Sequence, residues 1–462
     1  MQFNLFIYKI LEIIVKKNLP PTISSRLLFI YCSMIQLGLY ICNPLNKKIN
    51  FIEKYKIQNT YIECIRTDDF NDNLINYLSI ESLKIINKSI NLKNITDFLD
   101  DFEKTKEKKY LNFLSENKIL LKDLLNEINN YYYTRDKDGW KKSNTQIKLI
   151  NDNYIIVNQT LNSNNFNNIN SWTPLLNQRM IGAKWGIVRG IITNEQFNYI
   201  EKYLLEKYKQ VDLVSESKQI LEISLNLNDE QKCIAEFWAG IGGSVTPPGF
   251  WNMFLYGFFS NNQINNVIQV EYFYKLNCGL FQASIVAWNI KYKCLECRPI
   301  QSIRLLNKNK EIDYYFGKSF VNLWKPYQKI TQLTPPFPDY ISGHSTFSST
   351  ASFILTDLLG SDITNINIQL KLKELMMLSP IFKNSKNEYM NLSKIIFEKN
   401  CSLIENNIPE KNIINTFKTW DELSKSAGMS RIYGGIHYMF SNLEGDYVGK
   451  IVGKEIINLY NV

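Results

Sequence analysis

Apolar residues recur at intervals of three and four along much of the chain, which is the spacing that places them on one face of an α-helix. The spacing is regular in Ile7, Ile10, Leu11, Ile14 and Val15, and again in Phe347, Ala351, Ile354, Leu355 and Leu358. Alternation of the strand type is scarce. We therefore predict an all-α protein, built as one large domain of packed helical bundles.

Two apolar segments near the N-terminus are predicted to pack inside this fold. The first fifteen residues contain Glu12 and have no small-residue cleavage site, so they favour a packing helix over a secretory signal. Residues 27–42 include Ser33, Gln36 and Gly38 and fall short of the roughly 20 apolar residues that a membrane helix needs. We expect a buried core helix there, in a protein that is not an integral membrane protein.

Composition agrees with a globular chain, because 45% of the residues are hydrophobic and 13% are aromatic. The formal net charge is +9, but lysines alternate with acids, so nucleic-acid binding is not expected. Eight cysteines are too few and too irregularly spaced for a disulfide framework. Reduced thiols and an intracellular location are therefore expected.

The only two histidines of the 462 residues lie in separate short motifs. Ser342-Gly343-His344 follows a proline-rich loop and precedes a predicted helix over residues 345–359, whose N-terminus would attract an anion. His344 suits general acid or base work there, although a capped helix with a satisfied histidine would give the same tripeptide.

The second histidine motif runs from Ser430 to His437. Arg431 and His437 would lie on different faces of an unbroken helix, but Gly434-Gly435 predicts a break that lets both reach one anion. The arginine would bind a tetrahedral oxyanion with two donors, and the imidazole would approach it as a nucleophile or a ligand.

A third motif places Lys291 and Arg298 seven residues apart. On one helix they would share a face, about 10.5 Å apart along the axis, and Pro299 would help to end that helix. Taken alone, the pair is better read as two surface cations on an ordinary helix, because such spacing is common in a lysine-rich chain.

Together the three motifs resemble the signature of the superfamily that joins vanadium-dependent haloperoxidases with type 2 phosphatidic acid phosphatases: lysine, six residues, arginine-proline; serine-glycine-histidine; serine-arginine, five residues, histidine. The likeness extends to residues 172–189 and 237–252 and is greater towards the haloperoxidase branch. It implies that the oxyanion is bound by Lys291, Arg298, Ser342, Gly343 and Arg431. It also implies that His344 is the acid-base residue and that His437 is the vanadium ligand or the phosphatase nucleophile.

The resemblance divides the chain into an N-terminal helical half, residues 1–225, and a C-terminal bundle, residues 226–462, which holds the oxyanion site. One integrated domain is expected, since motifs spread over residues 291 to 437 must converge. Gly445, Gly449 and Gly453 lie four apart, which predicts a helix stripe that packs closely on a neighbour.

Vanadate, or phosphate in its place, is the implied cofactor. Trp288 and Phe337 match the aromatic residues that line the halide side in chloroperoxidase-like members, although both could be core aromatics. The long interval between His344 and Arg431 also favours the haloperoxidases. Three departures from the family pattern stand out: Ile341 replaces a proline, Ser441 replaces an aspartate that orients the phosphatase nucleophile, and Gly240–Gly243 lacks an acid.

The leading hypothesis is a haloperoxidase whose partners are hydrogen peroxide and halide and whose product is hypohalous acid. His344 would accept and donate protons as the acid-base residue, and Lys291 would polarise the peroxide. The second hypothesis is a soluble acid phosphatase that hydrolyses phosphate esters through a phosphohistidine at His437. The third is a non-enzymatic descendant that keeps the oxyanion site as a structural element, and a homodimer is possible in each case.

Overall fold

The computed structural model describes residues 2–43, 67–90, 93–104, 107–143, 145–147, 154–159, 169, 171–240, 242–306 and 310–461. Most of them are helical, as predicted. The α-helices are α1 Phe3–Lys17, α2 Pro21–Cys42, α3 Asp68–Ile90, α4 Lys93–Lys104, α5 Lys108–Glu116, α6 Lys118–Asp136, α7 Asn194–Tyr208, α8 Leu213–Leu225, α9 Asp229–Phe237, α10 Thr246–Asn261, α11 Asn266–Cys294, α12 Pro299–Leu306, α13 Gly343–Leu359, α14 Leu372–Leu378, α15 Trp420–Tyr433 and α16 Met439–Asn461.

The described residues also form short antiparallel strand pairs. They are β1 Glu311–Tyr314 with β2 Gly317–Phe320, β3 Gln369–Lys371 with β4 Tyr389–Asn391, and β5 Lys394–Phe397 with β6 Ile413–Thr416. Each strand has three or four residues, too few for an alternating pattern to be recognised in the sequence.

The two N-terminal helices pack inside the fold, which confirms the prediction for both segments. α1 packs against α10, and α2 runs along α11, where the rings of Phe29 and Phe281 stack 4.5 Å apart. Within the described residues, α2 is the helix long and apolar enough to cross a membrane, but 94% of its most apolar stretch is buried inside the protein.

The C-terminal half brings α11, α13, α15 and α16 together around the segments that carry the three motifs. α13 and α16 pack through the predicted glycine stripe. A Cβ atom on Gly449 would lie 2.7 Å from the carbonyl oxygen of Thr346. The close approach fixes the first turns of α13, which carries His344, against α16, which begins two residues after His437.

One continuous buried cluster includes side chains from both sides of residue 225, such as Leu11, Leu204 and Phe281. The division at 225 itself stays a prediction. No disulfide joins the seven cysteines within the described residues, and Cys64 lies outside them.

Candidate functional site

The three motifs meet at one cavity of about 400 Å³. Six of the residues singled out in the sequence line it: Trp288, Phe337, Gly343, His344, Arg431 and His437. None of the described residues on its wall is an aspartate or glutamate. The cavity is therefore positively charged and suited to an anion.

The remaining predicted residues, Lys291, Arg298 and Ser342, lie behind the wall and are almost wholly buried. Nζ of Lys291 donates to the carbonyl oxygens of Pro338 (3.1 Å) and Asp339 (2.5 Å). Arg298 donates to the carbonyls of two neighbouring residues, Phe337 and Pro338, at 2.9 and 3.1 Å. The two cations thus hold the loop that leads into Ser342.

The predicted geometry of Lys291 and Arg298 is wrong. Helix α11 ends at Cys294, Leu295 adopts a left-handed conformation with φ of 51°, and Arg298 lies in the following loop. Pro299 begins α12 instead of ending α11, because a proline at the first helical position loses no intrahelical hydrogen bond. Arg298 reaches the site from this loop.

The helix predicted after Ser342-Gly343-His344 is present as α13, but it begins at Gly343, two residues earlier than predicted. Oγ of Ser342 caps the helix by accepting from the N–H of Ser345 at 3.3 Å. The N–H groups of Gly343 and His344 lie in the first turn, where an α-helix offers them no acceptor. A Cβ atom on Gly343 would lie 3.4 Å from the Trp288 ring, so any side chain there would narrow the cavity.

His344 is held by a backbone carbonyl. Its Nε2 lies 2.8 Å from the carbonyl oxygen of Trp238, which can only accept, so Nε2 carries the hydrogen. Burial, with Arg431 and His437 nearby, lowers the pKa of His344 well below its ordinary value. The ring is therefore neutral at neutral pH and can accept a proton at Nδ1.

Arg431 has a donor without an acceptor. Its Nη1 donates to the Trp238 carbonyl at 3.0 Å, while Nε is buried and has no hydrogen-bond partner. Buried guanidinium N–H groups are rarely left in this state, because their desolvation is then uncompensated. An oxyanion in the cavity would supply the missing acceptor.

The predicted break after Arg431 is present. Helix α15 ends at Tyr433, and Gly435 takes a φ of +66°, which favours glycine. The N–H of Ile436 closes the turn by donating to the Arg431 carbonyl at 3.1 Å. Arg431 and His437 consequently reach the same cavity.

Both ring nitrogens of His437 have close partners. Nδ1 lies 2.8 Å from Oδ1 of Asp339, and Nε2 lies 3.1 Å from Nη1 of Arg298. Burial and the cations Arg298, Lys291 and Arg431 lower the pKa of His437 well below its ordinary value. A neutral ring that donates from Nδ1 keeps its lone pair at Nε2.

Asp339 was missed by the sequence reasoning. In the sequence Ser441 replaces an aspartate of the family pattern, whereas the structure places another carboxylate, that of Asp339 in the loop before α13, against His437. Burial raises the pKa of Asp339 to about 6, even though Arg298 and Lys291 act in the opposite direction. The sequence held one signal, an acid placed between the proline-rich loop and Ser342.

The other two departures from the family pattern, at Ile341 and at Gly240–Gly243, lie in the core and on the cavity wall respectively. Ile341 is fully buried. Gly240 and Gly242 line the cavity, and a Cβ on Gly240 would lie 3.0 Å from Nε2 of His344. Ile241 lies outside the described residues.

An apolar wall completes the cavity. The rings of Trp288 and Phe337 lie 4.9 Å apart, and Nε1 of Trp288 donates to the Ile181 carbonyl at 3.1 Å. The junction of α1 and α2 adds Leu19, Pro20 and Pro21. The roles of all these residues stay predictions.

Comparisons with known proteins point to one fold. Residues 271–461 match the family model described as the VCPO second helical-bundle domain. The chain is similar to the structure of "the first bacterial vanadium dependant iodoperoxidase", with 18% identity, a TM-score of 0.66, and 98% of this chain and 95% of that chain covered.

Two structures of a bacterial vanadium-dependent chloroperoxidase are also similar. The holo form has 16% identity and a TM-score of 0.62, with 96% of this chain and 93% of that chain covered. The apo form has 15% identity and a TM-score of 0.63, with 96% and 95% covered. No curated protein matches the sequence.

Proposed function

We propose that this chain is a vanadate-dependent haloperoxidase, because residues 271–461 match the VCPO second helical-bundle domain and the fold is that of vanadium haloperoxidase structures. Its reaction would oxidise halide with hydrogen peroxide to hypohalous acid. The observation that carries the proposal is the buried Nε of Arg431, which has no acceptor, on a residue that lines a cavity whose described wall has two histidines and no carboxylate.

The residues present fit vanadate. His437 would be its ligand through Nε2, and the oxyanion would be bound by Arg431, Arg298, Lys291, Ser342 and Gly343. When bound, vanadate supplies a Lewis acid that activates hydrogen peroxide towards halide. Phosphate has the same shape and would occupy the same site.

The side chains around the site would each have a separate role in the reaction. His344 takes up and returns a proton at Nδ1, because its Nε2 is committed to the Trp238 carbonyl. Lys291 lies behind the wall, and its Nζ would polarise the peroxide as a hydrogen-bond donor. Trp288 and Phe337 exclude water and form the halide side of the cavity.

The direct test is a halogenation assay with vanadate, hydrogen peroxide and each of iodide, bromide and chloride. We expect turnover with at least one halide, together with vanadium retained by the purified protein in elemental detection. His437→Ala is the matched control. Turnover no greater than that of His437→Ala would contradict the proposal.

A second candidate is a phosphatase that uses His437 as nucleophile. It is favoured by the contact of Nδ1 with Asp339, which leaves Nε2 with its lone pair. Release of phosphate from a generic ester, with a phosphohistidine trapped at His437, would support it. If vanadate or phosphate raises the melting temperature while neither reaction occurs, the non-enzymatic alternative is favoured.

A further inference from the structure

The carboxylate of Asp339 contacts the imidazole of His437 across 98 positions of sequence. Oδ1 lies 2.8 Å from Nδ1, a distance typical of a strong hydrogen bond to an ionised acceptor. The other atoms near Nδ1, the Ser441 hydroxyl and Nη1 of Arg298, both lie farther away, at 3.4 Å. Asp339 is therefore the principal partner of this nitrogen.

The backbone around Asp339 is fixed on both sides. Its N–H donates to the carbonyl of Glu296 at 3.0 Å, and its own carbonyl accepts from Lys291. Arg298 holds the preceding two residues through their carbonyls. A side chain on so rigid a segment has a defined direction, and here that direction is towards His437.

A purely structural ion pair would have a different geometry. Arginine–carboxylate pairs are frequently bidentate, with two parallel short hydrogen bonds. Nη1 of Arg298, however, lies 3.8 Å from Oδ2 of Asp339, and its hydrogen bonds go to carbonyls and to His437. The short contact of the carboxylate is with the imidazole.

We propose that Asp339 is the positioning residue of His437, holding the hydrogen on Nδ1 so that Nε2 presents its lone pair to the oxyanion. The inference rests on the proposed function only in taking His437 as the group that binds the oxyanion. Asp339 acts through His437 and touches no oxyanion itself.

Because the chain has only two histidines, their ring nitrogens can be observed directly. We would record ¹⁵N spectra of histidine-labelled protein and assign the two rings with a His344→Gln variant. In the wild type we expect the His437 ring with its hydrogen on Nδ1. In Asp339→Asn and Asp339→Ala we expect a mixture of tautomers or the reverse one.

Vanadate binding supplies the second measurement, with phosphate as a parallel probe. Loss of the outer partner of a ligating histidine typically weakens metal affinity by about 10 to 100 fold, which is the change expected for Asp339→Asn. Ser441→Asp in the Asp339→Ala background should restore part of the affinity, since residue 441 lies on the same side of the ring.

Glu296→Gln is the matched control. Glu296 is a second buried carboxyl next to the same loop, its Oε1 has no hydrogen-bond partner, and it makes no described contact with His437. We expect this variant to keep both the tautomer of His437 and the affinity for vanadate.

Two outcomes would overturn the proposal. One is an unchanged His437 tautomer in both Asp339 variants, whatever their melting temperatures, since this would leave Asp339 a structural role alone. The other is an unchanged vanadate affinity in Asp339→Asn. A wild type that binds neither vanadate nor phosphate would instead overturn the proposed function, and the tautomer measurement would still decide the role of Asp339.

Discussion

Nη1 of Arg298 lies 3.1 Å from Nε2 of His437, so the guanidinium rests against the nitrogen that we assign to the oxyanion. The same Nη1 donates to the Ile436 carbonyl at 2.7 Å, which keeps the arginine beside the ring. An oxyanion that bonds to Nε2 must replace this contact. The oxyanion would then accept hydrogen bonds from the Arg298 guanidinium, which is already in position.

Arg298→Lys should therefore weaken vanadate binding by about 10 fold or more, because an ammonium cannot reproduce the planar set of donors. It should also lower stability by about 1 to 3 kcal/mol through lost hydrogen bonds. Arg304→Lys is a matched control, since Arg304 is also buried and donates to backbone carbonyls, including that of Trp324. The control should lose stability alone, as measured by urea unfolding and vanadate titration. Equal binding losses in both variants would argue against a specific role for Arg298.

His344→Gln separates proton transfer from binding. We expect kcat for halogenation to fall by about 10² to 10⁴ fold, the range for removing a general acid or base. Vanadate affinity should change much less, because a glutamine amide can still donate to the Trp238 carbonyl that also accepts from Arg431. Parallel vanadate titrations and steady-state rates check this. A loss confined to affinity would show that His344 binds the oxyanion without moving protons.

The sequence predicted the features of the site that depend on neighbouring residues and missed those that depend on contacts between distant positions. The break at Gly434-Gly435 and the cap at Ser342 follow from neighbouring residues, so local reasoning found both. Arg298 was placed on the wrong element because its spacing from Lys291 fits a helix equally well, and nothing local reveals the left-handed Leu295.

Asp339 illustrates the other limit. Its function depends on a contact with His437, 98 positions away, and that contact exists only once α13 and α16 pack together. A search for a carboxylate four residues after His437 finds Ser441 and stops there. The buried Arg431 Nε is equally invisible in the sequence, because the lack of a partner is a property of packing.

Glu296 lowers the stability of the folded protein in a pH-dependent way. Burial, opposed in part by a hydrogen bond from Tyr208, raises the pKa of Glu296 from 4.5 to about 8. The folded state thus keeps a proton that the unfolded state releases above pH 4.5, so this group lowers stability as pH rises from about 4.5 to 8. At pH 7 the loss is about 3 kcal/mol.

Glu296→Gln removes that loss, because glutamine stays neutral in both states. We expect the variant to be more stable than the wild type near pH 7, with the difference vanishing near pH 4. Urea unfolding at the two pH values measures it. A variant that is less stable than the wild type at both would show that the carboxyl group makes contacts an amide cannot replace.

The glycine stripe of α16 allows the final prediction, which links packing to the site. A Cβ atom on Gly449 would lie 2.7 Å from the Thr346 carbonyl, and one on Gly445 would lie 2.8 Å from the Ser342 carbonyl. Each Gly→Ala change should cost about 1 to 3 kcal/mol despite the better helix propensity of alanine, because backbone atoms must move. Only the change at Gly445 should also weaken vanadate binding, since it displaces the cap of α13.

Lys454→Ala, on the exposed face of α16, should be nearly neutral in unfolding and binding measurements. Equal effects of the two glycine variants on binding would mean that the site responds to the spacing of the helices as a whole.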